Sequence, residues 1–136
     1  ESLARRRPGP YQLQAAINAL HAEAESYEQT DWPQILALYG VLDRLADDPM
    51  VTLNRAVALA QVQGPAAGLD LLETAAADPR LADHHRVHSV RAHLLRASGQ
   101  PLAAAEEYRV AARRTLSTPE RQYLLREAAI TEGQPS

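Results

Sequence analysis

An apolar pattern that returns after about 34 residues is the feature that most constrains the fold of this 136-residue chain. Four residues of the segment after Gly99 lie 36 positions beyond their counterparts after Gly64: Pro101 matches Pro65, Ala104 matches Gly68, Tyr108 matches Leu72 and Ala111 matches Ala75. A weaker copy comes earlier, because Tyr39 and Leu42 lie 33 positions before Leu72 and Ala75. A period of this length accommodates one pair of antiparallel helices, so the chain is predicted to stack helical hairpins.

Proline, glycine and Asx residues divide the chain into seven helical stretches, and no segment shows the alternation of a strand. The predicted helices cover residues 10–27, 32–46, 50–62, 65–77, 83–98, 101–115 and 119–130. At the start of the last helix Thr118 can act as the cap, with Pro119 at the first helical position. Ser117 and Glu120 offer a capping box as the alternative.

The predicted fold class is all-α, a right-handed solenoid of the tetratricopeptide type. Its three hairpins are expected at about 10–46, 50–77 and 83–115, and a capping helix at 119–130 is expected to cover the apolar edge of the third. The domain is expected to span residues 10–131, and residues 132–136 are expected to form a disordered tail. Small residues such as Gly68 and Ala104 would let helices approach closely, while Tyr39, Leu72 and Tyr108 fill the wider spaces.

Composition excludes several classes of function for this segment. A formal net charge of -3 and a pI near 5.9 disfavour direct binding of a nucleic-acid backbone. The chain has no cysteine, which removes disulfide and thiolate chemistry, and it has no apolar run long enough for a membrane span. These features favour a soluble protein of the cytoplasm.

The sequence offers little support for a catalytic or metal site. His84 and His88 have the spacing that places two imidazoles on one face of a helix, and His85 and His93 are near. No third ligand is identifiable, so surface or groove histidines are the preferred interpretation. Neither catalytic residues nor a cofactor site is predicted, and the chain is not expected to be an enzyme.

Arg55 and Arg91 recur at one repeat position beside a packing alanine. A lone buried charge is costly, so each guanidinium group is predicted to pair with an acid inside the solenoid.

The first helices of the hairpins should line the concave side, where such scaffolds usually bind their partners. The fifth predicted helix carries a polar stripe, and the residues 36 positions earlier, on the third helix, form an apolar stripe. The first helix carries a second polar stripe. The predicted protein-interaction groove contains Gln14, Asn18, His21, Leu53, Val57, Arg86, Ser89 and His93. The alternative is that these polar lines are ordinary solvated helix faces.

Five motifs in order give the chain a closer resemblance: Gly9-Pro10-Tyr11-Gln12-Leu13-Gln14-Ala15-Ala16, Thr30-Asp31-Trp32, Leu38-Tyr39, Leu53-Asn54-Arg55-Ala56-Val57 and Gly64-Pro65-Ala66-Ala67. Over residues 8–129 it resembles the C-terminal extension of a group of bacterial extracytoplasmic-function sigma factors. The residues assigned to the family motif or to structural positions are Tyr11, Gln12, Asp31, Trp32, Tyr39, Asn54, Arg55, Arg91 and Tyr108.

The resemblance implies a tetratricopeptide-like domain that regulates transcription initiation in cis. Its partners would be sigma modules upstream in the same chain and RNA polymerase core, and residues 1–9 would belong to the linker from those modules. The DNA-contacting modules would lie outside this segment. An alternative is an independent adaptor of the same fold that binds a partner peptide in its concave groove.

Overall fold

The computed structural model describes residues 9–23 and 30–135. Within these ranges the chain is all-α and contains no strand; its helices are α1 (Pro10–Glu23), α2 (Trp32–Leu45), α3 (Pro49–Gln63), α4 (Pro65–Ala76), α5 (His85–Ala97), α6 (Pro101–Arg114) and α7 (Thr118–Glu132). A short 3₁₀ turn, Pro79–Leu81, joins α4 to α5. The predicted all-α class is confirmed for this part of the chain. Residues 1–8 of the predicted linker, residues 24–27 of the predicted first helix and Ser136 lie outside the described residues.

The helix starts follow from capping chemistry. The Asp31 carboxylate accepts the Gln34 N–H at 3.1 Å, and the Asp48 carboxylate accepts the Met50 N–H at 2.9 Å. Ser117 Oγ accepts the Glu120 N–H at 3.2 Å, so Ser117 is the cap of α7 rather than Thr118. Each cap satisfies one of the amide groups that the first turn of a helix leaves without a helical partner.

The C-terminal boundary of the domain was predicted too early. Helix α7 continues to Glu132, two residues beyond the predicted end at Ile130. Glu132 Oε1 accepts a hydrogen bond from Arg109 Nη2 of α6 at 2.6 Å. The first residue of the predicted disordered tail is therefore a helical residue with a tertiary contact.

Each helix packs mainly on its neighbours along the chain, and α3 also contacts α5. Among the described residues, α1 and α7 form no substantial packed pair. A closed bundle would bring its first and last helices together, so this pattern is that of a linear array of hairpins.

No described helix has both the length and the apolar character that a bilayer crossing requires.

Three apolar clusters follow one another along this array. The first joins α1, α2 and α3 around Ile17 and Ile35, the second joins α3, α4 and α5 around Leu53 and Leu72, and the third joins α5, α6 and α7 around Leu124. Helices α3 and α4 approach closely in the second cluster, where a Cβ at position 68 would lie 2.6 Å from Ala60 Cβ. Only glycine permits α3 and α4 to cross at this distance.

Burial corrects the repeat period of the first helices to 34. Four buried residues of α3 lie 34 positions before four buried residues of α5: Leu53 before Val87, Ala56 before Val90, Ala58 before Ala92 and Ala60 before Leu94. The second helices keep the interval of 36, since Gly68, Leu72 and Ala75 are buried like Ala104, Tyr108 and Ala111. The extra two residues lie in the turn between α5 and α6, which is residues 98–100, whereas Gly64 alone separates α3 from α4.

Candidate protein-binding groove

A groove of about 320 Å³ lies between the first helices of successive hairpins. It is lined by Val57 of α3, by Arg86, Ser89, Val90 and His93 of α5, by Tyr108 of α6, and by Glu120, Tyr123 and Leu124 of α7. Four helices, α3, α5, α6 and α7, therefore contribute to one concave surface, as expected for stacked hairpins.

The groove combines an apolar floor with a polar rim. Val90, Tyr108 and Leu124 are nearly inaccessible and form the floor, while Tyr123 is 50% exposed. Arg86 and His93 are exposed at the edge. An apolar centre surrounded by polar groups is the usual composition of a reversible protein interface.

Arg86 is held in place by Asn54 of α3. Its Nε and Nη2 atoms both donate to Asn54 Oδ1, at 3.3 and 2.9 Å. Because the acceptor is a neutral amide, this contact orients the guanidinium group without neutralising its charge. Asn54, a motif residue, thus acts as a support for the groove.

The electrostatics at the other end of the groove centre on Arg96. Its Nη1 donates to Glu127 Oε1 at 2.8 Å. The groove wall withdraws the His93 ring partly from water, which lowers the pKa of His93, and the nearby Arg96 lowers this pKa further. Burial raises the pKa of Tyr108, although Arg96 opposes that effect. At neutral pH the His93 imidazole and the Tyr108 phenol are therefore uncharged.

Of the residues predicted to line the groove, the structure brings together Val57, Arg86, Ser89 and His93. The prediction for Leu53 is wrong: its side chain is 0% exposed and belongs to the second apolar cluster. The cause is the interval of 36, which placed Leu53 opposite Ser89, whereas the burial pattern of these helices repeats at 34.

The polar residues predicted on α1 do not line this groove. Gln14 Nε2 donates to Asn18 Oδ1 at 3.2 Å along the helix. The His21 ring meets the Trp32 ring edge to face, with the centroids 5.4 Å apart. His21 thus contributes to the contact between α1 and α2, and the described lining of the groove starts at Val57 of α3.

The α7 contribution to the groove was missed at the sequence level, although the repeat itself contained the signal. Adding 34 to Arg86, Ser89 and Val90 gives Glu120, Tyr123 and Leu124. The buried pair Leu94 and Ala128 keeps the same interval. Helix α7 therefore occupies the position of a fourth first helix and also forms a wall of the groove.

Both repeat arginines pair with acids, as the sequence predicted. Arg55 Nη1 donates to Asp43 Oδ2 of α2 at 2.8 Å. Arg91 donates from Nε and Nη2 to Glu73 of α4 at 2.9 and 3.0 Å, and from Nη1 to Glu107 of α6 at 3.1 Å. Each guanidinium group joins its own hairpin to the second helix of the preceding hairpin.

The remaining motif residues have different environments. Tyr39 and Tyr108 are buried, Trp32 is partly buried beside His21, and Asp31 caps α2. Gln12 Oε1 accepts the Gly9 N–H at 3.0 Å. Tyr11, however, is 89% exposed, so burial does not account for its place in the motif.

The histidines of α5 are engaged individually rather than as a ligand set. His84 caps the helix, its Nδ1 accepting the Arg86 N–H at 3.0 Å, and its ring stacks on His85. His88 Nδ1 lies 2.8 Å from Glu107 Oε1. Within the described ranges no three metal-ligating side chains come together.

Comparison with known proteins gives one informative similarity. No family model matches the chain, and no solved structure matches it. The chain is 48% identical over 104 residues to a protein of Rhizobium meliloti (strain 1021) that is named "Uncharacterized protein R00370". The matched region is 76% of this chain and 24% of that relative. The chain thus spans about a quarter of the length of the relative.

Proposed function

We propose that this chain is a right-handed tetratricopeptide-like module that binds a protein segment in the groove between α3, α5 and α7. The carrying observation is the concave surface itself, with a buried apolar floor and a rim that includes Arg86 and His93. Flanking ion pairs such as Arg96–Glu127 hold the walls in place before any partner arrives. A preformed groove avoids part of the ordering cost that binding otherwise incurs.

The proposed partner is a set of sigma modules in the same polypeptide, so that the module regulates transcription initiation by an extracytoplasmic-function sigma factor in the cytoplasm. The support is the resemblance carried by the five motifs, together with a relative about four times as long as the region it shares with this chain. RNA polymerase core is the other proposed contact. DNA binding is assigned to the sigma modules, because this chain has a net charge of -3.

Regulation in cis suits a groove of modest size. A short tether keeps the binding segment at a high effective concentration, so a weak contact is sufficient to hold the sigma modules. Release of the sigma modules then requires only a small change in their affinity for the groove. Neither catalysis nor a cofactor is part of this proposal.

Site-specific cross-linking in the intact polypeptide tests the proposal. This chain has no cysteine, so once any cysteine elsewhere in the polypeptide is replaced by serine, Ser89→Cys provides a single thiol at the groove. Leu102→Cys provides one on the exposed face of α6 as the matched control. A thiol-reactive photo-cross-linker at position 89 should react with the sigma modules, while the same reagent at position 102 should not. Equal cross-linking from the two positions would contradict the groove assignment.

Promoter output of the same polypeptide gives the functional measurement. Tyr123→Ala removes a half-exposed aromatic side chain from the groove, and aromatic residues carry much of the binding energy at interfaces. Output from the target promoter should change by about tenfold, while Leu102→Ala leaves it unchanged. A groove that cross-links to a separate protein, in a polypeptide without sigma modules, would favour the adaptor alternative.

A further inference from the structure

Among the described residues that line the groove, Arg86 is a cation that the protein positions but does not neutralise. On α5, Arg91 and Arg96 each bind carboxylates, whereas the hydrogen-bond partner of the Arg86 side chain among the described residues is Asn54 Oδ1. Of the five N–H donors of a guanidinium group, this single oxygen takes two. The remaining donors are available to a ligand at the rim of the groove.

The position of Arg86 does not favour the stability of its own helix. It lies in the first turn of α5, which contains no acidic residue. The amide dipoles make this end of a helix partially positive, so a cation there is unfavourable. The same positive potential adds to the attraction that Arg86 exerts on an anion.

The acid that lines the groove is engaged elsewhere. Glu120 lines the groove, but its Oε1 accepts a hydrogen bond from Thr115 Oγ1 and lies 3.4 Å from His85 Nε2. No ion pair joins Glu120 to Arg86 among the described residues. The charge of Arg86 is therefore available at the edge of the apolar floor formed by Val90, Tyr108 and Leu124.

We propose that Arg86 and Asn54 form a receptor for a carboxylate side chain of the protein segment that occupies the groove. Arginine binds a carboxylate through two parallel N–H donors, which gives both energy and orientation. An apolar side chain next to that Asp or Glu would pack on the floor. The inference rests on the proposed function and specifies its occupant: a segment in which an acidic residue adjoins an apolar one.

A random peptide library displayed on phage tests this specificity directly. Selection on the wild-type chain should enrich peptides with Asp or Glu beside Leu or Ile. Selection on Arg86→Glu should enrich Lys or Arg at that place instead. Arg113→Glu changes the net charge by the same amount at an exposed position on α6 away from the groove, and it should leave the acidic preference intact.

Affinity measurements then quantify the contact. The best peptide and its Glu→Gln version should differ by about tenfold in Kd on the wild type, which corresponds to about 1.4 kcal/mol, and should bind Arg86→Glu with similar affinities. The thermal unfolding midpoint of Arg86→Glu should not fall, because an acid in the first turn suits the helix dipole. This separates loss of binding from loss of folding.

The outcomes distinguish the two proposals. Peptides that compete at the groove and weaken with Tyr123→Ala, yet show no acidic preference, would overturn the Arg86 receptor and leave the proposed function standing. An acidic preference that survives Arg86→Glu would overturn the receptor as well. If no selected peptide is sensitive to Tyr123→Ala, the binding role of the groove fails together with this inference.

Discussion

The two ends of the helical array are attached to it by different means. Helix α1 is held by the buried side chains of Leu13 and Ile17, and its described side chains form no ion pair with another helix. Helix α7 is held by Leu124 and Ala128 and also by polar contacts that cross helix boundaries: Arg96 with Glu127, Arg109 with Glu132, and Arg121 with the carbonyl groups of Ala112 and Thr115.

This difference shows where the molecule needs a fixed geometry. Apolar contacts are tolerant of small rotations, whereas hydrogen bonds to charged groups depend on direction. Of the two end helices, α7 is the one with such directional contacts among its described residues, and it supplies one wall of the groove. We therefore expect the groove end to be the more rigid and α1 to open first in local unfolding.

The largest effect should come from the cluster that connects both ends. Leu72 is 0% exposed in the cluster shared by α3, α4 and α5. Leu72→Ala should lower the free energy of unfolding by about 2–5 kcal/mol, through lost burial and the cavity that remains. Chemical denaturation measures this loss, with the exposed Leu102→Ala as control. A loss below about 0.5 kcal/mol would mean that this cluster does not connect the array.

A matched pair of variants tests the difference between the ends. Ile17→Ala and Leu124→Ala each remove a side chain that is no more than 2% exposed. Hydrogen exchange should show that Ile17→Ala accelerates exchange mainly in α1, whereas Leu124→Ala accelerates it in α5, α6 and α7 together. Peptide binding in the groove should survive Ile17→Ala. If faster exchange extends over equally many helices in both variants, the proposed difference between the two ends of the array is wrong.

A smaller effect is expected from the ion pair at the groove end. Glu127→Gln removes the charge that pairs with Arg96, whose side chain is 28% exposed, and should lower the free energy of unfolding by about 1 kcal/mol. Glu106→Gln is the control, because Glu106 and Arg113 are 3.8 Å apart and largely exposed. If the two variants lose the same stability in a denaturant titration, the polar contacts do not distinguish this end.

The smallest effect is a pH dependence at the groove end. The pKa of His93 is lowered by desolvation and by Arg96, with Glu127 opposing. The unfolded state therefore takes up a proton at a higher pH than the folded state does, and stability should decrease as the pH falls below about 6.5. His93→Gln should reduce this decrease when denaturation curves at about pH 7.5 and about pH 5.5 are compared. If His93→Gln loses as much stability between these two pH values as the wild type does, His93 does not contribute to the pH dependence.

The sequence predicted the elements better than it predicted their relative positions. Breakers such as Gly64 and Pro101 locate helix starts because they act through local backbone geometry. The turn at residues 98–100 is two residues longer than the turn at Gly64, so the interval of 36 that holds for the second helices does not hold for the first helices. Leu53 was consequently placed on the surface, although it is a core residue.

The groove was predicted in part for a similar reason. Polar positions on α5 follow from helical spacing alone, so Arg86, Ser89 and His93 were found. The roles of Tyr123 and His21 depend on how neighbouring helices pack, and spacing within one helix carries no information about that. The Asn54 contact with Arg86 likewise joins two hairpins across 32 residues.

The one-residue turn at Gly64 has a mechanical consequence for the groove. Gly64 ends α3 and begins α4 with a φ of 102°, so this turn contains no spare residue that could act as a hinge. The link from α4 to α5 is longer and contains the 3₁₀ turn Pro79–Leu81, which Arg80 ties to Asp47 of the loop before α3. Between α3 and α5, this longer link is therefore the place where we expect the smaller resistance to rotation, and direct packing of α3 on α5 also limits the span between Val57 and His93. The contact of Arg80 with Asp47 is largely exposed, so it adds only a weak restraint to this link.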